Sequence, residues 1–190
     1  AKGVNVTENA TLTIKKGAKL YNRVVNGTYQ TEIYNYKSDL GIEGTVTIEE
    51  GAVFNDNGET TVFPTGKLII AGTYNNTANL TVNGGTVTVS GTLNNEKGST
   101  TDRTATDGLD IYLLRGDVRV NSGTLTLSEN GKIFNKASLN CGGTFVNNGE
   151  FNDYVGSHYG GTPFTSNGVY TCYVNSQTRL LEAVTRLNMW

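Results

Sequence analysis

The sequence is poor in the residues that crosslink, kink or strongly charge a chain. Its 190 residues include only 2 prolines, 2 cysteines, 1 methionine and 1 histidine. So few histidines and cysteines argue against a metal site of the usual His/Cys type. Charged residues make up 17% of the chain and the net charge is −2, so there is no basic surface of the kind that nucleic acid selects. No apolar run approaches the ~20 residues that cross a bilayer, and we expect no membrane insertion.

Glycine, asparagine and threonine are abundant instead, with 24 glycines in the chain. Glycine and asparagine tolerate the left-handed backbone of tight corners, whereas threonine is β-branched and favours extended strands. The segment 84–95, GGTVTVSGTLNN, combines these features. Alternation turns Val87 and Val89 to one face and Thr86 and Thr88 to the other, before Gly91 opens a second short strand.

This pattern recurs along the chain at a nearly constant period. One set of glycines precedes the strands that alternate like Thr86–Val89, which we call the first kind, and these glycines recur at a similar interval. They are Gly44, Gly66, Gly85, Gly108, Gly123 and Gly143. The glycines that open the second kind share this interval except for one step of double length, and they are Gly72, Gly91, Gly131 and Gly149. We interpret the double step, from Gly91 to Gly131, as two coils with one glycine missing. Two markers with one period predict an all-β parallel β-solenoid of about seven coils of about 20 residues.

Two insertions interrupt the repeat. Residues 11–22, TLTIKKGAKLYN, match residues 45–56, TVTIEEGAVFND, almost position for position, although their offset is well over one period. We therefore predict a protruding loop or hairpin over residues 23–40, and a polar surface loop over residues 96–110. The solenoid is expected to span residues 1–150.

Residues 151–190 are expected to differ from the repeat. Residues 152–168 have an irregular composition, and a strand follows at 169–174. Leucines and a valine at helical spacing then predict a short amphipathic helix over 178–187. This helix would cap the open end of the solenoid, or else the segment would begin a following domain.

Asparagine pairs recur at the corners, at residues 75–76, 94–95 and 147–148. Stacked on consecutive coils, they would form amide ladders along the rod. The alternative is that they are ordinary solvated turns.

The strands GTVTI/V and their followers GTY/LNN resemble the right-handed parallel β-helix of bacterial and archaeal surface proteins, adhesins and pectate-lyase-like enzymes. The resemblance covers about residues 4–150. It implies a single-domain right-handed β-helix, but this fold carries lyases, adhesins and inert stalks alike. A strand followed by a helix, as at 173–184, often opens such a domain, whereas here it lies at the end.

Few residues suggest chemistry, and no catalytic residue is predicted. Asp102, Asp107 and Asp110 supply hard oxygen ligands on a loop, which would suit calcium, although a solvated loop is the alternative. The tyrosines near the first insertion and near the end offer stacking surfaces for a sugar or a partner, and they are Tyr29, Tyr34, Tyr36, Tyr154 and Tyr159. The two cysteines, Cys141 and Cys172, would form an extracellular disulfide or remain two inert thiols.

These features favour a non-enzymatic extracellular module at the cell surface, such as a stalk, an adhesin segment or a filament subunit. Its expected partners are further copies of itself, neighbouring surface-protein domains or glycans, and calcium is the one cofactor considered. The alternative is a carbohydrate-binding or polysaccharide-lyase-like β-helix protein. An enzyme would need carboxylates converging in one groove along stacked coils.

Overall fold

A computed structural model describes residues 3–23, 25–29, 32–36, 39–96, 116–154, 158–162 and 164–173, with the backbone alone at 23, 25–29, 32–36 and 158–160. All regular structure in these ranges is β-strand. Within them, no helical segment has the length and hydropathy needed to cross a bilayer. The all-β prediction is therefore confirmed for the described residues, and the helix expected over 178–187 lies outside them.

The strands follow one another at short intervals. In chain order they are β1 (Val4–Val6), β2 (Thr11–Ile14), β3 (Lys19–Arg23), β4 (Val25–Tyr29), β5 (Glu32–Tyr36), β6 (Asp39–Ile42), β7 (Thr45–Ile48), β8 (Val53–Asn57), β9 (Glu59–Val62), β10 (Lys67–Ile70), β11 (Thr73–Asn76), β12 (Asn79–Val89), β13 (Thr92–Asn95), β14 (Asp117–Leu127), β15 (Lys132–Asn135), β16 (Ser138–Cys141), β17 (Thr144–Asn147), β18 (Glu150–Asp153), β19 (His158–Gly161), β20 (Thr165–Ser166) and β21 (Val169–Cys172).

Parallel pairing arranges all of these strands except β4 and β5 in three stacks, which the chain enters in rotation. Stack 1 consists of β1, β6, β9, the first half of β12, the first half of β14, β16 and β19. Stack 2 consists of β2, β7, β10, the second half of β12, the second half of β14, β17 and β20. Stack 3 consists of β3, β8, β11, β13, β15, β18 and β21. This path is that of a parallel β-solenoid.

Two long strands join stacks 1 and 2 into one twelve-stranded sheet, while stack 3 forms a separate seven-stranded sheet. β12 and β14 each turn the corner between the two stacks without a break in strand structure. Their corners contain Gly84 and Gly123, with φ of +92° and +87°. Residues with a Cβ rarely adopt this conformation, so glycine allows both corners.

Most of the stacked strands contribute their inward residues to the core, as alternation predicts. In β7, Val46 and Ile48 are fully buried while Thr45 and Thr47 face outward. Burying an aliphatic side chain of this size stabilises the fold by roughly 1.5–3 kcal/mol. Towards the C-terminal end the core becomes aromatic, with ring centroids 5.1–5.6 Å apart among Phe145, Phe151, Phe164 and Tyr170.

The double-length step between Gly91 and Gly131 is one coil and not two, so that interpretation is wrong. Thr92 is in register with Lys132, and the Lys132 amide donates to the Gly91 carbonyl at 2.8 Å. The two glycines therefore lie on adjacent coils. Pairing requires only that the flanking strands return to register, so an insertion lengthens the step without adding a coil.

Stacking also continues past residue 150, into the segment 152–168 whose composition predicts irregular chain. β19 and β20 lie in this segment and pair in parallel with β16 and β17. A neighbouring coil offers backbone donors and acceptors whatever the side chains are. Glycine-rich and serine-rich sequence can therefore extend a stack that it would not predict.

Candidate functional site

The first insertion forms a β-hairpin outside the three stacks. β4 and β5 are antiparallel and, among the described strands, they pair only with each other. Tyr36 is paired with Val25 and Tyr34 with Gly27, and Tyr29 lies two positions beyond Gly27. Paired residues share a face and residues two apart share a face. The three predicted tyrosines therefore occupy register positions on one face of the hairpin.

A second group of aromatic residues lies on the outside of stack 3 near its C-terminal end. We call Phe134, Tyr154 and Tyr173 the aromatic strip. The rings of Tyr154 and Tyr173 are stacked, with centroids 4.6 Å apart and planes 8° from parallel, and Phe134 lies 6.5 Å from Tyr154. The Lys136 ammonium sits 5.6 Å from the Tyr154 centroid, and the Tyr173 hydroxyl donates to Asn152 Oδ1 at 3.2 Å. The strip combines ring surface with polar groups, as sugar-binding and protein-binding surfaces do.

The corner asparagines at 75–76 and 94–95 form amide ladders, as predicted, whereas Asn147 of the third pair donates to Ser166 Oγ and to the Val169 carbonyl. Each pair is divided, with one amide outside the rod and the other inside. The outer amide ladder comprises Asn55, Asn75 and Asn94. Asn94 Nδ2 donates to Asn75 Oδ1 at 2.7 Å, and Asn75 Nδ2 donates to Asn55 Oδ1 at 2.8 Å.

The inner amide ladder runs in the opposite direction and is fully enclosed. It comprises Asn76, Asn95 and Asn135 and ends on Asp153, all at most 1% exposed. Asn76 donates to Asn95 at 2.9 Å, Asn95 donates to Asn135 at 2.7 Å, and Asn135 donates to Asp153 at 2.8 Å. A buried amide is tolerated only when it is hydrogen-bonded, and each coil here supplies a partner to the next.

Asn22 and Asp56 are in register with Asn76 on the preceding coils, and we call these two residues together with the inner amide ladder the inner row. Asp56 is fully buried. Its Oδ1 accepts from Asn22 Nδ2 at 2.8 Å and from the Gly58 amide at 3.1 Å. Its Oδ2 accepts from the hydroxyls of Thr60 at 2.7 Å and Tyr74 at 2.5 Å. Burial raises the pKa of Asp56 to about 6, although these four hydrogen bonds act to lower it. Burial, and then the nearby Asp56 charge, also raise the pKa of the Tyr74 hydroxyl.

Neither Asp56 nor Tyr74 has any exposed surface, so this pair can hold a proton but cannot touch a substrate. Asp56 is not among the residues that the sequence analysis singles out. A signal was nevertheless present, because an asparagine or aspartate follows the core residue of the second short strand by two positions on coil after coil. Asn22, Asp56, Asn76 and Asn95 all occupy this position.

The remaining predicted site residues are dispersed. Asp102, Asp107 and Asp110 lie outside the described residues, so the calcium site stays a prediction. In the part of the chain that the structure describes, no three histidine, cysteine or acidic side chains are placed to hold a metal ion. Tyr159 is in register with Leu139 of β16, and its role in binding stays a prediction.

The cysteines lie on different stacks. Cys141 is a buried residue of β16 in stack 1, and Cys172 is a half-buried residue of β21 in stack 3. No disulfide joins these two residues in the structure, and their pairing stays a prediction.

Comparison of the chain with protein-family models, with curated proteins and with solved structures returns no match. No relative therefore supports the pectate-lyase-like or adhesin identity that the β-helix resemblance implies. The geometry of the described residues has to carry the functional argument.

Proposed function

We propose that this chain is a non-enzymatic extracellular structural or adhesive module, built as a right-handed β-helix of seven coils that presents its insertions to partners. The observation that carries the proposal is the hairpin β4–β5. It leaves the stacks between β3 and β6, yet β3 and β6 both remain paired within the rod. A recognition element can therefore vary without disturbing the scaffold, which is how loops on rigid scaffolds generally carry binding.

The tyrosines give this hairpin the composition of a contact surface. Tyrosine supplies a large, rigid ring with one polar end, at a low cost in side-chain entropy. Tyr29, Tyr34 and Tyr36 share one face by register, so they would meet a partner together. The partners we propose are cell-surface glycans, neighbouring surface-protein domains or a second copy of this chain, in an extracellular setting that rests on the β-helix resemblance.

The aromatic strip favours a second candidate, a carbohydrate-binding module. Its rings are supported on consecutive coils, and Tyr173 is 43% exposed. Lys136, which is paired with Glu96 at 2.7 Å, lies beside the Tyr154 ring and offers a charge to sugar hydroxyls. Proteins commonly bind sugars with aromatic faces flanked by polar groups.

Immobilised polysaccharides, such as pectin, cellulose and chitin, and the immobilised chain itself serve as probes in a surface-binding assay. The hairpin variant Y29S/Y34S/Y36S is compared with the control T28S/N35S, whose residues lie on the opposite face of the hairpin. Each lost aromatic contact weakens binding by about 0.5–1.5 kcal/mol, so we expect about tenfold or greater loss for the hairpin variant.

The outcomes separate the candidates. Loss of binding in the hairpin variant alone supports the display function, whereas loss in Y154S alone supports the carbohydrate-binding strip. Undiminished binding in both variants contradicts both. The chain is also incubated with pectin, and release of reducing ends or of unsaturated uronate products would overturn the non-enzymatic proposal.

A further inference from the structure

The inner amide ladder has a fixed direction. Asn76 and Asn95 each use the same Nδ2 twice, once for the next coil and once for a main-chain carbonyl. The second acceptors are the Asp117 carbonyl at 3.3 Å and the Ser138 carbonyl at 2.8 Å. Turning either amide over would set its oxygen against a carbonyl oxygen, which repels it. The donors of the ladder are therefore directed towards the C-terminal coils.

Because all of the ladder's amides donate in one direction, the acids at its two ends have different hydrogen-bond partners. Asp153 lies at the donating end and receives the Asn135 amide. Asp56 lies at the other end, in register with Asn76, whose Nδ2 is directed away from it. Asn76 Oδ1 is buried and has no hydrogen-bond donor among the described residues. A buried polar atom left without a partner destabilises the folded state.

We propose that Asp56 is a buried proton-binding site, whose neutral carboxylic acid donates a hydrogen bond to Asn76 Oδ1. The proton comes from solvent and adds to carboxylate Oδ2, and no other covalent bond forms or breaks. Oδ1 keeps its two donors, Asn22 and the Gly58 amide. Oδ2 keeps one of its two hydroxyl donors, and the other hydroxyl rotates away.

The proton completes a chain of hydrogen bonds along the rod. With Asp56 neutral, every polar side chain of the inner row donates to its neighbour on the next coil, and the row ends on Asp153. This unbroken row begins at Asn22 and continues through Asp56, Asn76, Asn95 and Asn135. With Asp56 ionised, the row is interrupted between β8 and β11.

The surroundings of Asp56 favour the neutral form. β3 presents Asn22 to the carboxyl, β9 presents Thr60, and β11 presents Tyr74, the one titratable group among these contacts. No charged side chain is among the described contacts of this carboxyl. Burial without a counter-ion raises the pKa of Asp56 to about 6, since desolvation disfavours the charged form.

The sign of the pH dependence follows from linkage. The native state binds this proton more tightly than the unfolded chain, whose carboxyl keeps an ordinary pKa near 3.8. The associated stability is complete below that value and is lost as the pH rises through about 6. Between about pH 4 and about pH 7 the unfolding equilibrium constant should rise on the order of 50-fold from this group alone.

Urea unfolding is measured at several pH values in this range for the wild type, D56N and D153N. The D56N side chain reproduces the neutral acid, because its amide can donate to Asn76 Oδ1 without a proton. We expect the ratio of wild-type to D56N unfolding constants to rise about 50-fold between about pH 4 and about pH 7. D153N is the matched control at the other end of the ladder, where the side chain receives the Asn135 amide, and the Asp56 carboxyl should titrate in this variant as it does in the wild type.

A measurement on the wild-type chain covers the case in which D56N fails to fold. The ¹³C resonance of the Asp56 carboxyl carbon should report a neutral acid below about pH 5 and titrate near pH 6. A carboxyl that stays ionised down to about pH 4, as it would if a water molecule bridged it to Asn76, overturns the proposal. So does a D56N variant whose stability follows the wild type in parallel at every pH.

Discussion

Replacing Asn95 with alanine removes the middle amide of the inner ladder and leaves the rest of the coil in place. Asn95 is fully buried. It accepts from Asn76 at 2.9 Å and donates to Asn135 at 2.7 Å and to the Ser138 carbonyl at 2.8 Å. Its sequence neighbour Asn94 is half-buried and makes one such bond, to Asn75 at 2.7 Å. The two positions thus offer the same substitution on opposite faces of one strand.

The structure gives the size of the difference. The variant N95A leaves Asn135 Oδ1 and the Ser138 carbonyl without these donors inside the rod, and each buried polar group so treated costs about 1–3 kcal/mol. Asn76 Nδ2 retains its bond to the Asp117 carbonyl. We expect N95A to lower the free energy of unfolding by about 3 kcal/mol. N94A exposes its former partner to water and should cost about 0.5 kcal/mol.

Urea unfolding followed by circular dichroism measures both variants, and a thermal melt gives an independent check. The difference of about 2–3 kcal/mol corresponds to a Tm gap of roughly 5–10 °C for a chain of this size. Both variants carry alanine on the same strand, so β-propensity cancels in the comparison. Equal losses of stability in N94A and N95A would refute the argument that the enclosed ladder, and not the asparagine side chain as such, stabilises the coil.

Two further predictions concern the core and the corners. V89D places an unpaired charge in the core, where Val89 is fully buried, and should lower the free energy of chemical unfolding by about 4 kcal/mol or more. T88D, on the outer face, should lower it by about 0.5 kcal/mol. Similar losses would show that the inward and outward faces are assigned wrongly. G66A places a Cβ against the carbonyl group of Ile42 on the neighbouring coil and should lower the free energy of unfolding by about 2 kcal/mol. In G142A the nearest atom to the new Cβ would be 3.2 Å away, and the loss should be well under about 1 kcal/mol. A thermal melt that ranks the two variants the other way would contradict this packing.

The hairpin illustrates how a repeat alignment locates what does not belong to the repeat. Residues 11–22 and 45–56 predicted neighbouring coils with extra chain between them, and β2 and β7 are indeed in register from Thr11 and Thr45 onward. The sequence did not reveal that the extra chain is antiparallel, nor that its tyrosines share a face. Those features depend on the pairing register of β4 with β5, which no repeat encodes.

The insertion after β13 shows the limit of the same method. The spacing from Gly91 to Gly131 is the length of two coils, and counting residues cannot distinguish a missing glycine from a loop. Register settles the question, because Thr92 meets Lys132 directly. In a solenoid, stacking selects which strands are neighbours, and the chain length between them is free to vary.

By itself the sequence determined the all-β content, the repeat period and the inward face of the regular strands. These features are local, because alternation with period two is a property of one extended chain. Only the tertiary structure decided that the coil has three sides, that each asparagine pair is split between inside and outside, and that the inner amides all donate in one direction. An amide's direction depends on the carbonyls and carboxylates that adjacent coils bring to it. For the same reason Asp56, which no sequence pattern singled out, becomes an enclosed acid. It is in register with Asn76, whose amide donors are directed away from it.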